Sequence, residues 1–475
     1  MEPVFNKTKI IATVGPASSA KEILLQMIHA GVDVFRLNFS HGAYDVHQKT
    51  IDTIKQINEE HKYHIGILVD LQGPKLRIGL MENEEACLKD GEEIIITTEK
   101  CTGSSKKVYI TYPEFPKDVA IGDTVLIDDG KIKLTVVATN KKDTVRARIV
   151  HGGVLSSKKG VNLPNTKISL PCLTKKDLED LEFALKNDVE WIGLSFVRSV
   201  TDIVELKHII KTHKKPPRVI AKIEKPEAIK EIDNIIDMAD AIMVARGDLG
   251  VEMPLEQVSL TQKMLVKKSI AAYKPIVIAT QMMESMINNF APTRAEVSDV
   301  TNSVIDGADA LMLSGETSVG KYPVKVIEQM QKIIASVEKD AYVYNREYPP
   351  SIVLKTFVSD SICFNACRMA EQSGAKAIIT MTRSGYTAFK IASHRPQANI
   401  FMFTDQAPLL KIMSLVWGIR AFYYDKYVST DQTISDSINI LKEQEYIKHE
   451  DMVINIASVP IYEKGRANMI KLSYV

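Results

Sequence analysis

Residues 218–224 read RVIAKIE and residues 241–247 read AIMVARG, and these two strings determine the predicted fold. Each is a short apolar run rich in β-branched residues, which is typical of a strand buried on both faces of a parallel sheet. The stretch between them is long enough for a crossover helix. The pair therefore predicts one βαβ unit, with polar side chains at its strand ends.

Six more strings of this kind occur, and most are followed by a helical stretch. The eight predicted strands are Lys9 to Gly15, Val34 to Ser40, Ile65 to Leu71, Ile192 to Val197, Arg218 to Glu224, Ala241 to Gly247, Pro275 to Thr280 and Ala308 to Ser314. Eight strands with crossover helices are what a (β/α)8 TIM barrel requires. Such barrels place their chemistry at the C-terminal ends of the strands.

Two regions differ from this barrel pattern. Residues 74–171 alternate strand patterns with GD and DG turns, which predicts a small inserted β-barrel lid domain. The catalytic barrel is then expected to comprise residues 1–73 and 172–340. Residues 341–475 return to βα alternation, which predicts a C-terminal open α/β domain with a mostly parallel sheet.

Charge and composition limit the classes of function. The 475 residues include 60 basic and 59 acidic side chains, so a net charge of +1 gives no field for nucleic acid or an anionic membrane. The five cysteines form no CxxC pair, which argues against a disulfide framework and a zinc site. No signal-like N-terminus or apolar run of about 18 residues occurs. We therefore expect a cytoplasmic protein.

Polar side chains cluster at the predicted strand ends, where burial is costly unless they serve a site. They are Arg36, Asn38, Ser40, Asp70, Ser195, Lys222, Glu224, Asp248, Thr280 and Ser314. The hydroxyl residues among them can equally cap the helices that follow. For Lys222, Glu224 and Asp248 together, a functional site is the stronger interpretation.

Lys222 and Glu224 lie two residues apart on one strand and point to the same side, while Asp248 follows the neighbouring strand. One ammonium and two carboxylates are therefore expected to meet. Two carboxylates suit Mg²⁺, which shares its other positions with water and substrate oxygens. Lys222 can neutralise a phosphoryl group, and Arg36 and Arg77 offer planar forks for phosphate. These residue types indicate phosphoryl or enolate chemistry and do not distinguish the two.

The strings at the strand ends resemble the pyruvate kinase family. They are TKIIATVGPAS, FRLNFSHG, GVNLP, AKIE, MVARGDLGVE, ATQMMESM, PTRAEVSDV and MLSGETSVGKYP, in that family's order. The resemblance implies transfer of the phosphoryl group of phosphoenolpyruvate to ADP, giving pyruvate and ATP in the last step of glycolysis. It also implies a homotetramer with a regulatory C-terminal domain.

The resemblance implies roles for the residues of the barrel rim. Glu224 and Asp248 would hold Mg²⁺ or Mn²⁺, and Lys222 would lie against the phosphoryl group in transfer. Backbone amides near Gly247 and the Thr280 hydroxyl would hold the substrate carboxylate. The remaining implied roles are substrate phosphate binding by Arg36, positioning by Ser195, and protonation of the enolate through water near Thr280 and Ser314.

The resemblance also implies a nucleotide site. Its positions are Asn38, Phe39, Ser40, His41, Arg77 and Lys159. Lys159 would arrive from the lid, whose closure would exclude water from the transferring group.

The third-strand motif departs from the family pattern. Many members need K⁺ and have a motif resembling DTKGPEIRTG, whereas residues 70–79 here read DLQGPKLRIG. Lys75 replaces the family's acidic residue, and its ammonium carries the charge of a potassium ion. We therefore expect substantial activity without K⁺. The family's K⁺ ligands, Asn38, Ser40, Asp70 and the Leu71 carbonyl, leave K⁺ binding open.

Residues 380–396, TMTRSGYTAFKIASHRP, resemble the family's effector phosphate loop, with hydroxyls on Thr382, Ser384 and Thr387. Helix capping by the same hydroxyls is an equal alternative. Residues 457–472 depart from the glycine-rich effector closure of relatives, which puts activation by fructose 1,6-bisphosphate in doubt. A sugar monophosphate, AMP or no effector stays open.

Two other functions are compatible with parts of this pattern. A magnesium-enolate lyase on a similar barrel would share the carboxylate pair but would not need the lid, Lys159 or Lys222. A catalytically silent metabolite-binding regulator would keep the fold without its chemistry. The presence of the lid, Lys159 and Lys222 argues against the lyase, and Lys222, Glu224, Asp248 and Thr280 together argue against the silent regulator.

Overall fold

The structure is a computed structural model that describes residues 5–164, 166–426, 429–460 and 466–475. In these ranges no helix is both long and apolar enough to cross a membrane. The strands are β1 (Lys9–Thr13), β2 (Val34–Asn38), β3 (Gly66–Asp70), β4 (Glu85–Leu88), β5 (Glu93–Thr97), β6 (Lys107–Tyr109), β7 (Thr124–Ile127), β8 (Ile132–Thr139), β9 (Thr144–His151), β10 (Gly153–Ser156), β11 (Val161–Asn162), β12 (Trp191–Leu194), β13 (Arg218–Ile223), β14 (Ala241–Ala245), β15 (Ile276–Ala279), β16 (Ala310–Leu313), β17 (Ala377–Met381), β18 (Asn399–Thr404), β19 (Ile419–Tyr423), β20 (Met452–Ala457) and β21 (Met469–Tyr474).

Some of the helices begin at residues with recognisable capping chemistry. The helices are α1 (Lys21–Ala30), α2 (Tyr44–His61), α3 (Phe115–Asp118), α4 (Lys175–Lys186), α5 (Val200–Ile210), α6 (Pro226–Lys230), α7 (Ile232–Met238), α8 (Arg246–Glu252), α9 (Leu255–Ala271), α10 (Arg294–Asp306), α11 (Gly315–Ser318), α12 (Pro323–Val337), α13 (Phe357–Ser373), α14 (Tyr386–Ser393), α15 (Ala407–Ile412) and α16 (Thr430–Glu443). In α10, for example, Thr293 and Glu296 form a capping box, and Gly307 ends the helix in a left-handed conformation.

Eight parallel strands close into a barrel in the order β1-β2-β3-β12-β13-β14-β15-β16, with β16 paired to β1. All eight predicted strands, and hence the predicted TIM barrel, are confirmed. Fully buried side chains such as Leu68, Trp191 and Met243 fill its interior. A second layer of aliphatic residues packs the strands against the surrounding helices. The barrel therefore has a solid core, and any site must lie at its rim.

Each strand ends one to three residues before its predicted end, because the chain turns out of the barrel where the polar residues begin. Phe196 has φ +54° and Thr280 has φ +69°, values that no strand residue adopts. The polar side chains named above therefore lie on, or just beyond, the C-terminal rim.

The insertion after β3 is mainly β, as predicted, with α3 and a 3-10 helix at Glu82–Glu84 as its helical elements in the described residues. Its main sheet has the order β11-β7-β8-β9-β5-β6, and β4 pairs with β10 in a separate two-stranded sheet. Backbone bridges from Arg77 to Gly160 and from Ile78 to Ile110 connect the two edges of the main sheet. The predicted small barrel thus consists of six strands closed by a short extended segment, around an apolar core of its own.

The C-terminal part of the chain is an open α/β sheet, also as predicted. Its order is β19-β18-β17-β20-β21, and only β21 runs antiparallel to its neighbour. Apolar clusters cover both faces of the sheet, one lined by α13 and α14 and the other by α16. The domain boundaries at residues 73, 171 and 340 stay predictions.

Charged side chains connect this C-terminal sheet domain to the bottom of the barrel. Arg395 donates to Asp309 Oδ2 and to the Gly307 carbonyl, at 2.7 Å each. The Lys390 ammonium lies 2.9 Å from the centre of the Tyr273 ring, at the end of α9. Neighbouring His394 is 3% exposed and packs near the Tyr273 ring.

We expect His394 to make the protein acid-sensitive. Burial lowers the pKa of His394 to about 4, whereas an unfolded histidine titrates near 6.5. Below pH 6.5 the unfolded chain binds a proton that the folded chain does not, so stability falls as pH drops towards 4. At pH 5 the loss from this group is about 2 kcal/mol.

Urea unfolding at pH 7.5 and pH 5.0 measures this loss. The pH-dependent difference in unfolding free energy should be about 2 kcal/mol smaller in His394→Gln than in the parent protein. An unchanged difference would show that another group causes the acid sensitivity.

Candidate active site

Four side chains from three neighbouring strands meet in one buried cluster at the barrel rim. The Lys222 ammonium lies 2.6 Å from Ser195 Oγ, 3.0 Å from Asp70 Oδ1 and 3.0 Å from Glu224 Oε1. All four residues are buried. Lys222 and Glu224 share one side of β13 and its extension, and Asp70 reaches them from the end of β3.

Asp70 joins this cluster to Arg36. Arg36 donates to Asp70 Oδ2 through Nε at 2.7 Å and places Nη2 2.6 Å from the same oxygen. Its Nη1 donates to Thr13 Oγ1 at 3.0 Å. Burial alone would raise the pKa of Asp70, but Lys222 and Arg36 outweigh burial and lower it. The two cations are therefore fixed by one carboxylate.

Lys222 is held as a cation. Burial alone would lower the pKa of Lys222, but the Asp70 and Glu224 carboxylates raise it above its usual range. Ser195 fixes the position of the ammonium, because its hydroxyl accepts a hydrogen bond from Lys222 and is oriented by donating to the Leu71 carbonyl at 2.6 Å. The site thus contains a positive charge that does not titrate near neutral pH.

Glu224 and Asp248 present two carboxylates beside this cation. Glu224 Oε2 accepts the Phe196 N–H at 2.8 Å. Burial and the nearby Asp248 charge raise the pKa of Glu224, and Lys222 opposes them. Asp248 lies in the first turn of α8, and within the described ranges neither of its oxygens accepts a hydrogen bond.

These two carboxylates fit a divalent metal ion that favours oxygen ligands. Asp248 has both oxygens available, and the charge of Glu224 is only partly compensated by Lys222. Among the residues that the structure describes, no group of three or more acidic, histidine or cysteine side chains could enclose a metal ion. A site with two carboxylates needs further oxygens from substrate and water, as Mg²⁺ sites commonly do.

The end of β15 lies against the start of α8. The Gly247 N–H donates to Thr280 Oγ1 at 2.7 Å, and that hydroxyl donates to the Ala279 carbonyl at 2.6 Å. Arg246 donates to both Asp299 oxygens at 2.7 Å and to the Thr280 carbonyl at 2.8 Å. The sequence does not predict this Arg246 anchor, because nothing in the string shows that Asp299 would face it.

Ser314 follows β16 and opens α11. Its N–H donates to Glu316 Oε2 at 2.7 Å, and Glu316 Oε1 accepts the Met283 N–H at 3.2 Å. The Ser314 hydroxyl itself has no hydrogen-bond partner in the described part of the chain. It is therefore free to bind water at the rim.

The predicted nucleotide residues lie at the end of β2, on the loop that follows it and in the lid. Asn38 Oδ1 accepts the Ser40 N–H at 3.1 Å, and the buried Phe39 ring stacks on His47 at 4.3 Å. His41 is exposed, and its pKa is lowered by partial burial and by the charges of Arg77, Lys75 and Arg36. Several cations thus surround this loop.

Two lid cations have partners of their own. Arg77 Nη1 donates to the Lys158 carbonyl at 3.0 Å. The Lys159 ammonium pairs with Asp128 of the lid at 2.8 Å rather than with a residue of the barrel. The structure therefore does not bring Lys159 to the Lys222 cluster.

Lys75 lines the cleft between lid and barrel together with Asp248. Its side chain is exposed, and no carboxylate in the described ranges lies within ion-pair distance of it. Asp70 and the Leu71 carbonyl, expected as K⁺ ligands, are already engaged with Lys222, Arg36 and Ser195.

In residues 380–396, which resemble the effector phosphate loop, hydroxyls accept hydrogen bonds from nearby backbone N–H groups. Thr382 Oγ1 accepts the Gly385 N–H at 3.0 Å, and Ser384 Oγ accepts the Tyr386 N–H at 3.3 Å. Thr387 is buried and pairs with Thr380 at 2.9 Å. This arrangement matches the capping alternative. Of the predicted departure at residues 457–472, residues 461–465 lie outside the described residues.

Comparisons with known proteins agree with this geometry. The family model "Pyruvate kinase, barrel domain" matches residues 5–327, and "Pyruvate kinase, alpha/beta domain" matches residues 360–473. A pyruvate kinase of Geobacillus stearothermophilus is 38% identical over 99% of this chain and 80% of that protein. One from Mycobacterium intracellulare is 41% identical over 97% of each chain.

A solved structure is also similar to this chain over nearly the whole length of both. The crystal structure of a pyruvate kinase from Cryptosporidium parvum superposes with a TM-score of 0.92 at 34% identity, covering 99% of this chain and 96% of that chain. The family models, the full-length relatives and this structure lead to one conclusion: the chain belongs to the pyruvate kinase family.

Proposed function

We propose that this chain transfers the phosphoryl group of phosphoenolpyruvate to ADP, giving pyruvate and ATP as the last step of glycolysis. The observation that carries the proposal is the contact of the Lys222 ammonium with Glu224 at 3.0 Å, with the free Asp248 carboxylate nearby. A buried cation beside two carboxylates suits a reaction in which a metal ion and a migrating phosphoryl group share charge.

Glu224 and Asp248 would hold Mg²⁺ or Mn²⁺. When bound, such an ion supplies Lewis acid chemistry at substrate oxygens. Lys222 would neutralise the phosphoryl group in transfer, and Asp70 and Ser195 fix its position beforehand. Because its pKa is raised, Lys222 contributes charge rather than a proton.

The Gly247 N–H and the Thr280 hydroxyl would orient the substrate carboxylate, and Arg36 would bind the substrate phosphate. A carboxylate there would replace the hydrogen bond that these two groups make with each other. Water held by Thr280 and Ser314 would protonate the enolate carbon. The free Ser314 hydroxyl supports this part of the proposal.

ADP would bind along Asn38, Phe39, Ser40 and His41, with the cations Arg77 and Lys159. The charges of Arg77, Lys75 and Arg36 around His41 suit an anionic ligand. Lys159 would leave Asp128 for the nucleotide phosphates when the ligand binds. Closure of the lid would then exclude water from the transferring group.

A coupled assay with lactate dehydrogenase tests the function directly. With phosphoenolpyruvate, ADP and Mg²⁺, a kinase gives pyruvate only when ADP is present. A magnesium-enolate lyase would give product without ADP, and a silent metabolite-binding regulator would give none. Either of those outcomes would overturn the proposal.

We expect activity without potassium. The exposed Lys75 ammonium lies in the cleft, and Asp70 is already paired with Lys222 and Arg36, so a fixed charge can replace K⁺. Turnover in KCl should exceed turnover in NaCl by less than about tenfold, and Lys75→Glu should lower the potassium-free rate. A larger rise with K⁺ in the parent protein would contradict this expectation.

The assembly and regulation that we propose rest on the family alone. They are a cytoplasmic homotetramer and a regulatory C-terminal domain, in which Thr382, Ser384 and Thr387 are the candidate residues for an effector phosphate and a sugar monophosphate, AMP or no effector stays open. Capping by the same hydroxyls is the competing explanation.

A further inference from the structure

The lid contacts the barrel through few polar groups. At the two connections, the Gly73 N–H donates to Asp177 Oδ1 at 3.0 Å within the barrel, and Arg198 of the barrel donates to the Ile168 and Leu170 carbonyls of the lid at 2.6 Å each. Away from these connections, one side-chain hydrogen bond joins the two bodies within residues 5–164 and 166–426. In it, Asn162 Nδ2 of the lid donates to Glu252 Oε1 of the barrel at 2.8 Å.

Glu252 is an unusual acceptor for such a contact. It is 3% exposed and pairs at 2.6 Å with Lys225, which is 4% exposed and directly follows Glu224. Its second oxygen, Oε2, is buried without a hydrogen-bond partner in the described part of the chain. Lys225 and Asn162 are therefore the groups that compensate a buried carboxylate, which is costly to leave unpaired.

A role as a third metal ligand does not explain why the Glu252 carboxylate is buried here. It lies four residues after Asp248 on α8 and so shares one face of that helix. However, its Oε1 is already bound by an ammonium and an amide. Glu252 thus lines the same cleft as Asp248, a proposed metal ligand, but is engaged with the lid.

Helix α8 connects this contact to the catalytic groups. Arg246 at its first residue is anchored by Asp299, and Glu252 at its last residue is anchored by Lys225 and Asn162. Gly247 and Asp248 lie between these two anchors. Docking of the lid therefore completes the restraint on the short helix that carries the Asp248 carboxylate.

We propose that Asn162, Glu252 and Lys225 form a latch that holds the lid docked on the barrel and thereby positions Asp248 for the reaction. Glu252 is a positioning residue, because it acts through the lid and α8. The catalytic part of this inference rests on the proposed function, whereas the docking part does not.

Distances between lid and barrel test the latch. Cys87 of the lid is exposed, Cys101 is half-buried, and the other three cysteines are buried. Dyes on Cys87 and on a Glu256→Cys site at the exposed start of α9, in a Cys101→Ser background, report docking by energy transfer. Asn162→Ala should raise the ratio of open to docked lid about tenfold or more, since it removes a hydrogen bond to a charged group.

Lys225→Met should raise the ratio of open to docked lid at least as much as Asn162→Ala does, because it leaves the buried Glu252 charge without a cation. The matched control is Asn140→Ala, which makes the same change in the lid at an exposed residue bonded only within its own turn. Asn140→Ala should leave the distances unchanged. The latch is refuted if both latch variants keep the parent distances, or if the control opens the lid equally.

Kinetics separate the latch from a merely structural contact. Asn162→Ala should lower kcat/KM for ADP about tenfold, mainly through KM, because Lys159 of the docked lid is proposed to bind the nucleotide. Lost thermal stability with unchanged distances and KM would show a structural role instead. Because the distances are measured without substrate, they test the latch even if the chain has no phosphoryl transfer activity.

Discussion

Lys222→Met is expected to lower kcat about 10³-fold or more, since it removes the fixed charge beside the transferring phosphoryl group. Methionine has nearly the volume of lysine, so the packing around β13 should persist. The loss should appear in kcat rather than in KM for ADP, because the Lys222 ammonium contacts Asp70, Glu224 and Ser195 and, in the described part of the chain, none of the predicted nucleotide residues. The coupled pyruvate assay and a full kinetic analysis measure both quantities.

A variant of a second buried lysine, Lys390, is the control for the stability that is lost when a buried ion pair is broken. Lys222→Met leaves Asp70 and Glu224 without a partner, and breaking a buried pair costs about 3–5 kcal/mol of stability. Lys390→Met breaks the buried pair with Asp360 in the C-terminal sheet domain. Both variants should lose stability, but only Lys222→Met should lose catalysis. Equal activity losses would attribute the effect to folding.

Asp248→Asn should raise the Mg²⁺ concentration needed for half-maximal activity at least about 100-fold. Removal of a direct carboxylate ligand should exceed the 10- to 100-fold cost typical of residues that only support a ligand. Because Asp248 has no hydrogen-bond partner in the described residues, stability should change by less than about 0.5 kcal/mol. Titration of activity with Mg²⁺ and urea unfolding check these two expectations.

Asp237→Asn is the matched control, since Asp237 is an exposed carboxylate on α7 of the same barrel. Its Mg²⁺ dependence should equal that of the parent protein. If Asp248→Asn also keeps the parent Mg²⁺ dependence, Asp248 does not bind the metal.

The sequence was sufficient to predict the barrel, because each strand carries its own pattern. RVIAKIE carries a central run of apolar residues, which suits a central parallel strand, and it forms β13 as the mostly buried Arg218–Ile223. The predicted ends of the strands were less accurate, because a strand ends where the backbone turns. Thr280 leaves β15 with φ +69°, and no local residue pattern showed that this threonine would adopt a left-handed conformation.

Part of the candidate site followed from local spacing. Lys222 and Glu224 are two apart on a strand, so their contact could be expected. The role of Asp70 as the partner of both Lys222 and Arg36 could not, because it joins residues from three strands. A carboxylate at the end of the neighbouring strand was the available signal, and we interpreted it only as a K⁺ ligand.

The lid contact was not visible in the sequence at all. Asn162 and Glu252 are 90 residues apart and belong to different bodies. Lys225 lies next to Glu224, but only the fold shows that its ammonium turns towards Glu252 instead of the Lys222 cluster. Such long-range pairing depends on how the lid docks, which no local pattern records.

The position of a bound metal ion and substrate in a crystal shows directly whether Glu224, Asp248 and Lys222 form the proposed site. Crystals grown with Mn²⁺ and phosphoenolpyruvate, measured at the manganese absorption edge, should show the ion about 2.1 Å from carboxylate oxygens of both Glu224 and Asp248. The Lys222 ammonium should contact the substrate phosphate. An ion bound elsewhere, with Glu224 and Asp248 both unligated, would contradict the account.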